Sequence, residues 1–412
     1  MTVAATVSPA NGYDPFDLSA PHATWAKMRE NKPVFQHKDT GYFIVTRHAD
    51  IKAVFDDWQT FSSENAQAPM RPMCAEGRRI MTEGGFTAYS GLSARVPPDH
   101  TRIRKIVQGA FGPRRFKAIE PKIAQIVADA LDRIAPLGRA DFFRDVAYDV
   151  PAFVLFALVG IPDSDVQKVK AWSVSRAVLT WGELSDAEQL PHAHNMVAYW
   201  DYCRALVAAK RAIPGDDLPS DLLKLQAEGA EITDDEIAGV MYSVLFAGHE
   251  TTTTLMANGV HTLLTHRDAW DAICADPALI PQATEEILRH APSIVAWRRR
   301  AKADAQIGGV AVPEGSDILL LMGSGNRDET VFPHGEDFDI GRANARNHLS
   351  FGYGIHFCLG FQLAKLEFGI MLRQLTARFP DLRLTGDGKI DYLANVSFRI
   401  PSKVEITWGD AT

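Results

Sequence analysis

Residues Phe351–Gly360 read FGYGIHFCLG, and this stretch decides how the rest of the chain is read. Three glycines, Gly352, Gly354 and Gly360, crowd a single cysteine, Cys358, just ahead of a helical apolar stripe of Leu359, Leu363, Leu366 and Ile370. Glycine tolerates positive φ and close backbone approach, so such a loop can fold tightly beneath a flat ligand. Amide N–H groups of the loop and of the helix start then point at the sulfur and favour a thiolate. From these residues alone three readings stand: an inert buried thiol, a nucleophile paired with His356, and a thiolate ligand for a metal porphyrin.

Working outward, the remaining cysteines, Cys74, Cys203 and Cys274, lie far apart with no C-x-x-C pair. That spacing suits neither a zinc knuckle, nor a cysteine-ligated iron–sulfur cluster, nor a disulfide scaffold. The chain has 412 residues, 46% hydrophobic and 23% charged, with net charge −8. A large core is possible, whole-chain disorder is excluded, and the acidic balance argues against a dedicated nucleic-acid binder. No secretory pattern and no bilayer-length apolar run is visible, so a cytoplasmic protein without a membrane partner is expected.

Gly41–Thr46 reads as a short strand and Ala49–Phe55 as the start of a helix. Residues 59–96 are rich in Ser, Gly, Pro and Met without sustained period, so a long irregular segment is expected there. Helical patterning dominates 99–137 and 161–212. The clearest helix begins at Thr233, which forms a T-x-x-E capping pattern with Glu236 and is followed by Ile237, Val240, Met241, Val244, Leu245 and Gly248 on one face. Another covers Ala283–Arg289. Two strand-like runs, Gln306–Val312 and Asp317–Met322, flank the turn Pro313-Glu314-Gly315.

Inside the capped helix stands Ala247-Gly248-His249-Glu250-Thr251, followed by three more threonines. A mid-helix threonine can bond the carbonyl four residues back, so Thr251 is expected to take the Ala247 carbonyl and open a local groove. Glu250 would relay protons into it.

Here the chain resembles the cytochrome P450 family. F-G-x-G-x-x-x-C-x-G, carried by Phe351, Gly352, Gly354, Cys358 and Gly360, is similar to its haem-binding signature. Glu250 and Thr251 match its oxygen-activation motif, Glu286 and Arg289 its E-x-x-R pair, and His100 and Arg104 its H-x-x-x-R. The resemblance runs from about residue 40 to the end. It implies a mainly α fold with small β-sheets, the triangular prism of that family, as a single haem domain over residues 1–412 with a loosely ordered segment at 1–20.

The implied cofactor is haem b, with Cys358 on the metal, Phe351, Gly352 and Gly360 cradling it, and His100, Arg104, Arg299 and His356 on its propionates. Glu250 and Thr251 would handle protons, and His249 receives no catalytic role. Glu286 and Arg289 would be structural, joined by Arg342 or Arg346. The implied reaction inserts one oxygen atom of O2 into a small aromatic or apolar substrate, by hydroxylation or O-dealkylation. A haem-binding sensor or carrier and a cysteine hydrolase are the rivals. Pocket candidates are Phe86, Tyr89, Leu92, Trp181, Val244, Ala247, Ile294, Val295 and Phe398. The sequence has no G-x-G-x-x-G and no cysteine cluster, so electrons would come from a separate ferredoxin or flavoprotein docking on Arg102, Lys105, Arg114, Arg115 and Lys117. Val295–Arg299 and Asn395–Pro401 resemble haem domains of reductase-fused bacterial members.

Overall fold

The computed structural model describes residues 13–86 and 91–409. Among them the helices are α1 His22–Asn31, α2 His48–Asp56, α3 Ala75–Glu83, α4 Asp99–Ala110, α5 Pro113–Ile134, α6 Val150–Val159 and α7 Val166–Trp181. They continue as α8 Asp186–Ala212, α9 Leu218–Ala227, α10 Asp234–Thr265, α11 Arg267–Ala275, α12 Ile280–His290, α13 Met322–Gly325 and α14 Phe361–Arg378. The strands are β1 Val34–Gln36, β2 Phe43–Val45, β3 Phe61–Ser62, β4 Arg139–Asp141, β5 Trp297–Ala301, β6 Ala305–Ile307, β7 Val310–Val312, β8 Asp317–Leu320, β9 Arg383–Leu384 and β10 Glu405–Thr407.

The axis of the molecule is α10, and its start is set chemically. Thr233 Oγ1 accepts from the Glu236 N–H at 3.2 Å, and Glu236 Oε2 accepts from the Thr233 N–H at 2.9 Å. Both halves of the capping box are therefore made. The helix is then buried on most of its circumference between α6, α8, α9, α12 and α14. Beside this helical body stands a five-stranded sheet ordered β1-β2-β8-β5-β3, in which only β2 and β8 run parallel. Two small sheets, β4-β10-β9 and β6-β7, complete the mainly α architecture.

Several expectations need correction. The irregular segment 59–96 contains α3, amphipathic and capped by the Cys74 sulfur, which accepts from the Gly77 N–H. Gln306–Val312 is not one strand: Gly308 and Gly309, both at positive φ, turn it into the β6-β7 hairpin, while β8 joins the large sheet. Helix α6 (VPAFVLFALV) is not among the expected helices, because it is apolar all round and shows no stripe. The loosely ordered segment at 1–20 does not hold for 13–20, where Tyr13, Phe16 and Leu18 are buried against Trp25 and Phe398; residues 1–12 lie outside the described residues.

A buried charge cluster ties α12 to the loop that follows α13. Arg289 grips Glu286 through two hydrogen bonds of 2.7 Å, and both side chains are wholly buried. Arg342 is the third member, its Nε donating to Glu286 Oε1 at 3.3 Å. Arg346 is exposed and faces Glu285 instead, at 3.8 Å. The spare guanidinium donors end on carbonyls of Asn326, Gly335, Asp337 and Pro333, so the cluster pins the backbone feeding the cysteine loop. Removing one member strands buried charge, at a cost of about 3–5 kcal/mol. Glu286→Ala is therefore expected to lower the urea midpoint of the haem-loaded protein by an equivalent amount, whereas Arg346→Ala leaves it within about 0.5 kcal/mol of the parent. Equal midpoints for Glu286→Ala and the parent would contradict the assignment.

Candidate active site

The cysteine loop is built by its glycines. Gly352 and Gly354 sit at φ +70° and +69°, and a Cβ on Gly354 would lie 2.8 Å from the Phe55 carbonyl oxygen. The loop closes with the Cys358 N–H donating to the Phe351 carbonyl at 2.9 Å. Burial pushes the Cys358 thiol up; the Gly360 N–H, the Arg104 charge and the Phe361 N–H pull it back toward the anion. The residue is partly accessible, but to a cavity rather than to outer solvent.

That cavity, about 250 Å³, runs from Cys358, Leu359 and Leu363 to Ala247, Gly248 and Thr251 on α10. Phe351, Gly352, Gly360, His356 and Arg299 line it as well. Val244, Ala247 and Ile294 are brought to it among the pocket candidates. Phe86, Leu92, Trp181, Val295 and Phe398 are not. Phe86 packs edge-on to Trp200 and Tyr242, and Leu92 lies against the main core. Trp181, Val295 and Phe398 belong to a hydrophobic cluster behind Trp297, which is the ring that faces the cavity. Tyr89 lies outside the described residues.

His100 and His356 meet with ring centroids 4.1 Å apart, and the charges of Arg104 and Arg299 bear on both. Burial first, then those cations, lowers His100 to about 4; His356 is lowered to about 2 by burial, Arg299, His100 and Arg104. Burial also draws Arg299 down to about 9. Arg104 donates to the Phe357 carbonyl at 2.6 Å, bracing the loop. Both ring nitrogens of His100 and the Arg299 Nε are buried without any partner among the described residues. Unpaired buried donors are costly, and two carboxylates of a porphyrin would satisfy this set. With a cavity-facing cysteine sulfur beside them, the residues fit haem. Among the described residues no hydrogen bond joins His356 to Cys358, and a histidine held neutral well below pH 6 is a poor activating base, so the hydrolase rival has no geometric support.

On α10, Thr251 Oγ1 donates to the Ala247 carbonyl at 2.8 Å, as expected, and Thr252 repeats the bond to Gly248 at 3.1 Å. The expected groove does not interrupt the helix, which stays α-helical from Asp234 to Thr265. Glu250 is mostly buried, with Oε1 3.1 Å from His249 Nε2. Sequence reasoning missed Thr252, Phe111, Met322 and Glu367 on the cavity wall. Glu367 is the notable one. Its carboxyl is buried with neither oxygen paired among the described residues, and burial drives it well above the carboxylate range. An acid one turn beyond Leu363, on the stripe that Ile370 continues, was the available signal.

The expected basic docking cluster is partly spent internally. Arg102 pairs with Glu236 at 2.6 Å and Asp99 at 3.2 Å, and Arg115 pairs with Asp216 and Asp221. Lys105, Arg114 and Lys117 remain exposed, with no ion pair among the described residues. No helix among the described residues is long and apolar enough to cross a membrane.

The family profile described as Cytochrome P450 matches residues 278–403. Cytochrome P450 107B1 of Saccharopolyspora erythraea is 36% identical, over 88% of this chain and 88% of that protein. The structure of cytochrome P450 CREJ in complex with (4-ethylphenyl) dihydrogen phosphate is 53% identical, covers 97% of this chain and 99% of that one, and superposes with a TM-score of 0.95. An intact type IV self-sufficient cytochrome P450 monooxygenase is 35% identical with a TM-score of 0.93; it covers 98% of this chain, which spans 53% of that longer one.

The loop geometry makes a sharp prediction. Gly354→Ala meets both a positive φ and the Phe55 carbonyl, a strain of about 1–3 kcal/mol. Gly369→Ala meets nothing closer than 4.0 Å and serves as the control. Pigment retained after gel filtration is expected to fall in the first variant only. Equal retention in both would show that the loop does not need that glycine.

Proposed function

The chain belongs to the cytochrome P450 family of haem-thiolate monooxygenases, and on that footing we propose that it oxidises a C–H bond of a small, phosphate-bearing alkylphenol, taking electrons from a separate ferredoxin or flavoprotein. Haem b, when bound, supplies reductive cleavage of dioxygen, one atom entering the substrate and the other leaving as water with two electrons and two protons. In this reading residues 1–412 act as one haem domain in the cytoplasm.

Cys358 binds the metal through its sulfur, whose charge is shared by the Gly360 and Phe361 N–H groups and by Arg104. His100, Arg104, Arg299 and His356 hold the porphyrin carboxylates, which discharges the unpaired donors around them. Phe351, Gly352 and Gly360 leave room for the ring. Thr251 holds a proton at Oγ1, on the cavity wall, and its bond to the Ala247 carbonyl keeps the hydroxyl oriented. Glu250, with a small accessible fraction, carries protons between the exterior and that hydroxyl. Phe111, Trp297 and Met322 exclude water.

The observation that carries this reading is that Cys358 and Thr251 face a single cavity lined by Arg299, whose Nε has no partner among the described residues, and by His356, against which packs His100 with both ring nitrogens unpaired. The substrate class is supported by the related structure that holds (4-ethylphenyl) dihydrogen phosphate. Exposed Lys105, Arg114 and Lys117 suit an acidic electron donor.

With a ferredoxin, its reductase and NADPH, 4-ethylphenyl phosphate under 18O2 is expected to yield a product with one labelled oxygen. Reductant consumption with no labelled product would sink the reading. Thr251→Ala should cut product per dioxygen consumed by roughly tenfold or more while still consuming dioxygen, the signature of a lost proton delivery. Tight coupling in that variant would contradict the role of Thr251.

A further inference from the structure

Seven arginines are buried among the described residues: Arg29, Arg176, Arg289, Arg298, Arg299, Arg327 and Arg342. Four have carboxylate partners, Arg29 and Arg327 on Glu336, Arg289 and Arg342 on Glu286. Arg299 has none, and in the reading above the porphyrin carboxylates supply its counter-charge. Arg176 and Arg298 are the remaining two, 4% and 0% exposed, with no carboxylate in ion-pair range. An isolated buried guanidinium is expensive, so each of these charges calls for an anion from outside the chain.

The two lie together. Arg176 Nη2 donates to Gln67 Oε1 at 2.8 Å, Arg298 Nη2 to the Ala66 carbonyl at 3.0 Å, and Arg298 Nη1 to the Ala68 carbonyl. Both guanidiniums thus end on neutral acceptors of one three-residue turn. They also bracket one aromatic stack. Trp181 and Phe246 are parallel, 10° apart with centroids at 5.4 Å; Arg298 stands 5.9 Å from the Trp181 ring and Arg176 4.8 Å from that of Phe246. Cation–π contact shelters each charge but does not neutralise it. The other polar groups nearby do not neutralise them either. Arg176 Nη1 donates to the Tyr242 carbonyl at 2.7 Å, the Tyr42 hydroxyl adjoins Arg298, and Asp317 is committed to Arg300 at 2.8 Å. Arg298 Nε and the hydroxyl of Ser243 are buried donors with no partner among the described residues. Ser243 precedes Val244, and Arg298 follows Trp297; both of those neighbours line the cavity.

We propose that Arg176 and Arg298, with the Ser243 hydroxyl, seat the phosphate of an aryl phosphate monoester while its alkyl-bearing ring occupies the cavity that Trp297 and Val244 line. Two unmatched positive charges balance a dianion, and charged phosphate oxygens displace the neutral acceptors of the 66–68 turn. This rests on the monooxygenase reading for the chemistry, but not for the binding.

The test is a spin-state titration of the ferric haem-loaded protein with 4-ethylphenyl phosphate, 4-ethylphenol and inorganic phosphate. The parent should bind the ester at least about tenfold tighter than the phenol. That preference should grow from pH 5 to pH 7 as the phosphate gains its second charge near pH 6. Arg176→Gln and Arg298→Gln should each weaken the ester at least about tenfold and change the phenol less than threefold. Arg176→Lys and Arg298→Lys, which keep the charge, should recover part of the loss. Equal affinities of the parent for ester and phenol, variants that keep the preference, or inorganic phosphate displacing the ester at equal concentration would overturn the proposal. Where a variant does not fold, the parent's pH dependence decides: a preference flat from pH 5 to pH 7 overturns the site. Charge-dependent binding without oxidised product would instead sink the function reading and leave the site standing.

Discussion

A sulfur atom placed where water is scarce and donors converge is the constraint on which the structure depends. Burial alone would keep Cys358 a neutral thiol; the Gly360 and Phe361 amides and Arg104 oppose that. To hold those donors the chain must turn through Gly352 and Gly354 at positive φ, with Gly354 against the Phe55 carbonyl. The loop in turn is fed by backbone pinned to the Glu286–Arg289–Arg342 cluster, and Arg104 clamps it from α4. Elements far apart in sequence are therefore committed to one atom.

Buried arginines in this fold divide by what neutralises them. Where Glu286 or Glu336 is at hand the charge is structural, and the guanidinium's spare donors tie down loop carbonyls. Where no carboxylate is at hand among the described residues, at Arg299, Arg176 and Arg298, the positive charge stays unmatched; Arg299 lines the cavity, and Arg298 follows Trp297 on its wall. A fold that buries cations without partners is preorganised for anions.

Much of this was legible in the sequence, for physical reasons. The glycine spacing at 351–360, the capping box at Thr233 and Glu236, the Thr251 bond to Ala247 and the E-x-x-R pair are local, and local geometry follows from local chemistry. What escaped was decided at long range. Helix α6 has no polar face to read, and Arg102 and Arg115 look like a free basic patch until Glu236 and Asp221 arrive from more than a hundred residues away. The cavity wall was misjudged likewise: Trp181 and Phe398 are aromatic, but Trp297 stands between them and the site. Glu367 escaped because an acid in an apolar stripe reads as a surface residue until both its oxygens prove buried.

The most direct measurement of the central claim is the carbon-monoxide difference spectrum of the dithionite-reduced protein, taken for the parent chain and for Cys358→Ser. Thiolate ligation predicts a strongly red-shifted Soret band in the parent and its loss in the variant, with haem still bound through the His100, Arg104, Arg299 and His356 set. A parent spectrum without the red shift, or one that survives the substitution, would contradict the placement of the metal on this sulfur.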